Sequence, residues 1–253
     1  MFGRELITAS VKNPKQDGPA IVPFITAGYP DKDSFLDLLT ALAKTADVIE
    51  IGVPFSDPMA DGVTIQRSSH AAIESGVTLK WILEQLKTLK IKTPIVLMSY
   101  LNPLYVYGYD QLVKASLEAG VDGFIIPDLP VEEGEEIREA LSQAELAMIQ
   151  LVTPATPENR IKTIAKHSSG FLYAVTVKGV TGGNDGLPEE VAGYLETVKA
   201  SSNIPVCAGF GVRSKADVEL LEPYVDGIIV GSALVEAIEQ KITATDFLNT
   251  LRA

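Results

Sequence analysis

The feature that most constrains the fold is a repeated pattern of eight short, apolar, β-branched runs, each followed by a turn and an amphipathic segment. Because the runs are almost continuously apolar, they predict strands buried on both faces, as in a parallel sheet covered by helices. Segments such as TLKWILEQLKTLK and PEEVAGYLETVKAS have the helical period, and a last helix is predicted over 244–251. The predicted strands are 20–27, 48–54, 95–100, 123–128, 148–153, 171–177, 205–211 and 227–232.

Eight strand–helix units in succession favour closure into an α/β (β/α)8 barrel, the TIM barrel. An open, doubly wound sheet is the structural alternative, but no dinucleotide-type glycine fingerprint follows the first run. The length of 253 residues fits one such barrel, and no linker or low-complexity stretch interrupts it. We therefore expect a single TIM-barrel domain over residues 1–253.

Charge and cysteine content exclude several classes of function. The chain has 33 acidic and 21 basic residues, a net charge of -12, which disfavours binding to nucleic acid or to an anionic membrane. The lysines within 80–92 are spaced as an exposed helix face with its following turn. The one thiol, Cys207, cannot form an internal disulfide, and no apolar stretch approaches a signal core or a membrane span. We expect a cytoplasmic protein.

A carboxylate stands inside the second predicted strand. Side chains alternate across a strand, so Glu50 shares one face with Val48 and Gly52, while Ile49 and Ile51 take the other. If the isoleucines pack outward against helices, Glu50 points into the barrel. A lone buried carboxylate is costly unless it is paired or used, so a functional role is favoured over a structural strut.

A second carboxylate, Asp61, ends the loop PFSDPMADG that follows this strand. Asp57 or Asp61 could simply cap the next helix, and we favour that structural role for Asp57. For Asp61 the alternatives stay open, since only its nearness to Glu50 suggests an acid/base pair.

Glycine-rich segments follow the last three predicted strands: KGVTGGND (178–185), AGFGV (208–212) and VGSA (230–233). Each could be a tight turn. Together they are typical of a barrel phosphate site, where backbone N–H groups and a helix N-terminus hold the anion. The two histidines, His70 and His167, lack ligand spacing, so no metal site is predicted.

The segment VIEIGVPFSDPMADGVTIQ (48–66) closely resembles the signature of the tryptophan synthase α subunit family. PFITAGYP, SYLNPLY, PDLPVEE, YAVTVKGVTGG, AGFGV and VGSA also resemble that family's segments, in the family's order, so nearly the whole chain is covered.

The resemblance implies retro-aldol cleavage of indole-3-glycerol phosphate to indole and glyceraldehyde 3-phosphate, a step of tryptophan biosynthesis, without a cofactor on this chain. It implies Glu50 as general acid/base, Asp61 as acceptor of the indole N–H, and Tyr173 as the group that positions Asp61. The implied pocket and phosphate residues are Phe24, Tyr100, Thr181, Gly182, Gly211, Gly231 and Ser232.

The resemblance also implies a partner, a pyridoxal-phosphate β subunit that receives indole in an α2β2 heterotetramer. The loop around Asp57 and the segment SYLNPLY are the expected contact surface. Three alternatives stay open: a free-standing indole-3-glycerol-phosphate lyase, a catalytically idle phosphate-binding barrel that activates a partner, and a sugar-phosphate isomerase. The intact carboxylate pair disfavours the idle barrel, and the Glu50 loop motif disfavours the isomerase.

Overall fold

A computed structural model describes residues 2–176, 187–209 and 211–252. Its eight strands pair in parallel, in chain order, and the eighth pairs with the first, so the sheet closes into a barrel. The strands are β1 (Ala20–Thr26), β2 (Ile49–Gly52), β3 (Ile95–Met98), β4 (Gly123–Ile125), β5 (Ala147–Val152), β6 (Leu172–Val175), β7 (Val206–Gly209) and β8 (Gly227–Val230).

The helices surround this barrel, and most of them connect one strand to the next. They are α1 (Gly3–Lys12), α2 (Phe35–Leu42), α3 (Val63–Glu74), α4 (Leu79–Leu86), α5 (Leu101–Tyr107), α6 (Tyr109–Ala119), α7 (Glu135–Gln143), α8 (Glu158–Lys166), α9 (Glu189–Ala200), α10 (Lys215–Leu221), α11 (Ser232–Glu239) and α12 (Ala244–Thr250). None of the described helices is long and apolar enough to cross a membrane.

Strand alternation separates two apolar layers. Outward side chains such as Ile49 and Ile51 join the large cluster between strands and helices. Inward side chains such as Val48 and Val96 fill a second cluster inside the barrel. Glu50 stands in register with Phe24 on β1 and Val96 on β3, and therefore belongs to the inward set. The predicted orientation of β2 is confirmed.

The N-terminal end of the barrel is closed by α1. Ile7 and Val11 of this helix are buried in the inner cluster against Phe171 and Cys207. Gly3 begins the helix with φ +56, and a Cβ there would lie 2.1 Å from the carbonyl oxygen of Glu145. With that end plugged, the interior of the barrel opens toward the C-terminal ends of the strands.

The predicted strand positions are confirmed, and most observed strands are shorter at their C-terminal ends. Two helices were missed. Helix α1 buries one narrow face, Gly3, Ile7 and Val11 at four-residue spacing, and α5 carries Pro103 in its first turn, where proline is tolerated. The capping role favoured for Asp57 is wrong, because α3 starts at Val63 with Gly62 as its N-cap and no side-chain cap hydrogen bond. Asp57 instead accepts a 2.5 Å hydrogen bond from the Ser56 hydroxyl.

Candidate active site

A cavity of about 320 Å³ opens at the C-terminal ends of the strands. Its walls are inward residues of seven strands together with the loops after β2 and β7 and the start of α11. A volume of this size suits one small organic molecule. The lining residues are Phe24, Glu50, Ala60, Asp61, Gly62, Ile65, Met98, Pro127, Leu151, Tyr173, Val175, Thr176, Gly209, Gly211, Ile229, Gly231 and Ser232.

Glu50 lies at the bottom of this cavity and is only 1% exposed. Its Oε2 has no hydrogen-bond partner among the described residues. Burial, and secondarily the nearby charge of Asp61, raise the pKa of Glu50 from 4.5 to about 8. The carboxyl is therefore mostly protonated near neutral pH and can donate a proton to a molecule in the cavity.

Asp61 lies on the loop wall above Glu50. Its Oδ2 accepts a 3.3 Å hydrogen bond from the Tyr100 hydroxyl, which itself accepts a 2.8 Å bond from the backbone N–H of Ala60. Burial raises the pKa of Asp61, and the hydrogen bond from Tyr100 partly opposes that rise. Tyr100 stacks on Phe55 at a ring separation of 4.9 Å, so this loop is braced from both sides.

The role that the resemblance implies for Tyr173, positioning Asp61, stays a prediction; among the described residues the Asp61 carboxylate accepts its hydrogen bond from Tyr100. Tyr173 lines the cavity on β6, and burial raises the pKa of its hydroxyl well above the ordinary value, so it stays protonated. Tyr100 itself lines a small recess that adjoins the main cavity beside Phe24 and Asp61.

Two glycines make room for the aromatic walls. A Cβ on Gly52 would lie 2.4 Å from Cζ of Phe24, and a Cβ on Gly209 would lie 2.2 Å from Oη of Tyr173. Any larger residue at either position would push the ring out of its place. Both glycines stand on the inward face of their strands. A glycine at an inward strand position is visible in the sequence and could have indicated both of them.

The predicted phosphate residues that fall in described segments lie together. Gly211, Gly231 and Ser232 line one side of the cavity, where α11 begins with Gly231 as its N-cap. The first backbone N–H groups of a helix have no partner within the helix and attract anions. Thr181 and Gly182 lie outside the described residues.

Several lining residues were not expected from the sequence. Met98 and Leu151 stand on the inward faces of β3 and β5, and strict alternation along those strands could have found them. Ile65 lies in the first turn of α3, and Thr176 directly follows β6. No group of three or more His, Cys, Asp or Glu side chains in the described ranges could hold a metal ion.

The family model for the tryptophan synthase alpha chain matches residues 10–250. The chain is 45% identical over 233 residues to the tryptophan synthase alpha chain of Nitratidesulfovibrio vulgaris, covering 91% of each. It is 44% identical over 243 residues to that of Bacillus cereus strain G9842, covering 95% of this chain and 93% of the relative.

Solved structures agree with these sequence matches. Tryptophan synthase subunit alpha from Legionella pneumophila superposes with a TM-score of 0.87 at 34% identity, covering 100% of this chain and 98% of that one. A chain of the tryptophan synthase a2b2 complex from Pyrococcus furiosus superposes with a TM-score of 0.86 at 37% identity, covering 92% and 97%. With the barrel and the cavity residues described above, these matches lead to one conclusion. The chain belongs to the tryptophan synthase alpha chain family.

Proposed function

We propose that this chain cleaves indole-3-glycerol phosphate to indole and glyceraldehyde 3-phosphate, with Glu50 moving the protons and Asp61 holding the indole N–H. The observation that carries the proposal is the state of Glu50. This carboxyl is buried at the bottom of a cavity, and its Oε2 accepts no hydrogen bond from the described residues. Its pKa is raised to about 8. A protonated carboxyl in that position is what the first step of the cleavage requires.

Two proton transfers complete the reaction. Glu50 donates its proton to C3 of the indole ring, which leaves a positive charge shared with the ring nitrogen. The resulting carboxylate then removes the proton of the hydroxyl on the adjacent carbon. A carbonyl forms there, the carbon–carbon bond breaks, and its electron pair returns to the ring to give indole. One carboxyl gives and regains one proton, so no cofactor on this chain takes part.

Asp61 supports the charged intermediate. A carboxylate that accepts the indole N–H stabilises the positive charge on the protonated ring through a charge-assisted hydrogen bond. The Tyr100 hydroxyl favours the ionised form of Asp61 and orients it. Phe24 and Leu151 give the cavity apolar surface for the indole rings, and Tyr173, which also lines the cavity, remains our proposed positioning group for Asp61.

The phosphate is placed at the other end of the cavity. Gly211 and Gly231 leave backbone open to an anion, and the N-terminus of α11 at Ser232 supplies N–H groups. Thr181 and Gly182 complete the proposed phosphate side and a loop that closes over the substrate. The distance between the two ends of the cavity would then select a substrate that carries both an aromatic ring and a phosphate.

We further propose that the chain is one barrel domain of a cytoplasmic α2β2 assembly whose β subunit holds pyridoxal phosphate and uses the indole. Support comes from the structural similarity to a chain of the Pyrococcus furiosus a2b2 complex and from exposed apolar side chains near the active face. Met59, on the loop between β2 and α3, is 83% exposed, Val63 at the start of α3 is 78% exposed, and Val106 on α5 is 77% exposed. Exposed apolar side chains of this kind are typical of a protein interface.

The test is indole release from indole-3-glycerol phosphate by the wild-type chain, Glu50→Gln and Asp61→Asn, each alone and with a β subunit. We expect Glu50→Gln to remove nearly all activity and Asp61→Asn to remove most of it. Met148→Leu, a conservative change on the outer face of β5, serves as the matched control and should keep wild-type activity.

The free-standing lyase and the idle barrel each predict a different outcome. A wild-type rate that is already high and unaffected by the β subunit would favour a free-standing lyase. A wild-type chain that accelerates the β subunit but releases no indole would favour the idle barrel. Unchanged rates in both carboxylate variants would overturn the proposed mechanism.

A further inference from the structure

The helix that begins at the proposed phosphate site is tied to the helix that begins after Asp61. Glu236 of α11 accepts a 2.9 Å hydrogen bond from the Thr64 hydroxyl of α3 at Oε1. One turn further along both helices, Glu239 pairs with Arg67 at 2.9 and 2.7 Å through both carboxylate oxygens. The two contacts repeat with a spacing of three residues, so they run along facing sides of the helices.

Each glutamate also reaches a second segment of the active face. Arg213, which follows the glycine segment after β7, donates a 2.7 Å hydrogen bond to Oε2 of Glu236. The Tyr29 hydroxyl, on the loop after β1, donates a 2.6 Å bond to Oε1 of Glu239. We call this set of six residues the α3–α11 clamp: Tyr29, Thr64, Arg67, Arg213, Glu236 and Glu239.

The clamp lies between the two proposed ends of the substrate. Thr64 is three residues after Asp61, and Glu236 is four residues after Ser232. Arg213 is two residues after Gly211, which lines the same side of the cavity as Ser232. Glu236 is the one carboxylate of the clamp that contacts both the Asp61 side and the phosphate side.

We infer that Glu236 is a positioning residue that sets the span between the indole end and the phosphate end of the cavity, and so the fit of a substrate that must occupy both. This inference rests on the proposed function. Glu236 does not line the cavity and touches no reacting atom; it acts through Thr64 and Arg213. Its hydrogen bond from Arg213 lowers the pKa of Glu236, so the carboxylate stays ionised across the working pH range.

The distance between the two ends of the cavity affects the binding of a substrate that occupies both ends, but not the binding of a fragment that occupies one end. Indole alone needs only the Asp61 end, and glycerol 3-phosphate alone needs only the phosphate end. Loss of the Glu236 contacts leaves each fragment site intact but allows a wider range of distances between the two ends of the cavity. The substrate then binds only the fraction of molecules in which that distance is correct. Substrate affinity should therefore fall without a matching loss for either fragment.

The experiment measures KM and kcat for indole-3-glycerol phosphate, and the Kd values of indole and of glycerol 3-phosphate, on wild type and Glu236→Ala. We expect KM to rise about fivefold, as for the loss of one or two partly exposed hydrogen bonds, with kcat and both fragment Kd values within about twofold. Thr64→Val should reproduce part of the rise in KM, and Thr64→Ser, which keeps the hydroxyl, should restore the wild-type value.

The control is Glu118→Ala, which breaks a 2.7 Å pair with Lys87 of comparable exposure between α6 and α4, away from the cavity. It should leave KM unchanged. An unchanged KM in both Glu236→Ala and Thr64→Val, or an equal rise in the Kd of either fragment, overturns the inference. If Glu236→Ala does not fold, the KM values of Thr64→Val and Thr64→Ser test the inference without it. A wild-type chain that cleaves no substrate overturns the proposed function instead, and with it the premise of the clamp.

Discussion

Asp47 lies two residues before β2 and Glu50 lies within it, and both are almost fully buried, yet their surroundings differ in kind. Asp47, at the N-terminal end of β2, is 2% exposed and accepts hydrogen bonds from the backbone N–H groups of Lys15 and Ile21 at 2.7 and 2.8 Å. It also pairs with Arg252. Glu50, 1% exposed, has an oxygen with no described partner and a pKa raised to about 8.

The same contrast holds around the barrel. Asp122, just before β4, accepts bonds from the N–H groups of Gly3 and Ile95 at 2.9 and 3.0 Å. Asp226, just before β8, accepts a 2.8 Å bond from the N–H of Val206. Carboxylates at the N-terminal end are therefore satisfied by backbone and hold strands and α1 together. On the C-terminal side, by contrast, the buried carboxyl of Glu50 has no hydrogen-bond partner at Oε2 among the described residues and can exchange a proton with a bound molecule.

The largest expected effect tests the C-terminal side of this contrast. Glu50→Gln keeps the size of the side chain but removes the exchangeable acid proton, so kcat should fall by about 10² to 10⁴. The free energy of unfolding at neutral pH should stay the same or rise, since no described bond at Oε2 is lost. Steady-state indole release and urea unfolding measure the two quantities. A variant that loses stability but keeps kcat would reverse the comparison.

Asp47→Asn tests the N-terminal side. The amide presents N–H donors to groups that are themselves donors and leaves Arg252, only 9% exposed at its side chain, without its counter-charge. Breaking a buried pair in this way typically costs about 3 to 5 kcal/mol. Urea unfolding should show that loss while kcat per folded molecule stays at the wild-type level. A drop in kcat with unchanged stability would place Asp47 in the chemistry.

The pH dependence of the free energy of unfolding should test the raised pKa of Glu50. Between its ordinary pKa of 4.5 and the folded value of about 8, Glu50 holds a proton in the folded chain that the unfolded chain releases. The contribution of Glu50 to the free energy of unfolding is therefore most favourable below pH 4.5, and it is lost as the pH rises through about 8. Relative to Glu50→Gln, wild type should lose about 2 kcal/mol between pH 5 and pH 7, since one pKa unit corresponds to about 1.4 kcal/mol.

Urea unfolding of both proteins at several pH values measures this difference. Parallel curves for wild type and Glu50→Gln would show that Glu50 titrates normally in the folded chain. In that case the carboxyl would be ionised at neutral pH and could not supply the first proton of the proposed reaction.

The smallest expected effect concerns Asp61, the carboxylate that has a partner at the C-terminal end. Tyr100→Phe removes the 3.3 Å hydrogen bond to Asp61 and the acceptor of the Ala60 N–H, while the stacking on Phe55 remains. We expect kcat/KM to fall about fivefold, as for one hydrogen bond. Tyr105→Phe, an exposed position on α5, is the matched control. An effect as large as that of Glu50→Gln would assign Tyr100 a direct role in proton transfer.

Strand positions were predictable because burial on both faces leaves a continuous apolar run that can be read without knowing any contact. The orientation of Glu50 followed from the alternation of Val48, Ile49 and Ile51 alone. The repeated pattern of an aspartate just before a strand, in ADVIEI, VDGFII and VDGIIV, also carried a readable signal for the backbone-bonded carboxylates. Ile7 and Val11 of α1 stand four residues apart, as on one helix face, but only the tertiary packing shows that this face plugs the barrel end.

What the sequence determined by itself is the barrel and the inward position of Glu50, and the family resemblance supplied the chemistry that we propose for it. What only the tertiary structure decided is which groups surround each carboxylate. Tyr100 rather than Tyr173 donates to Asp61, Gly52 and Gly209 make room for aromatic rings, and α3 is tied to α11 through Glu236. These contacts join residues far apart in the chain. Local periodicity carries no information about them, because closing the barrel sets the distances between its strands and loops.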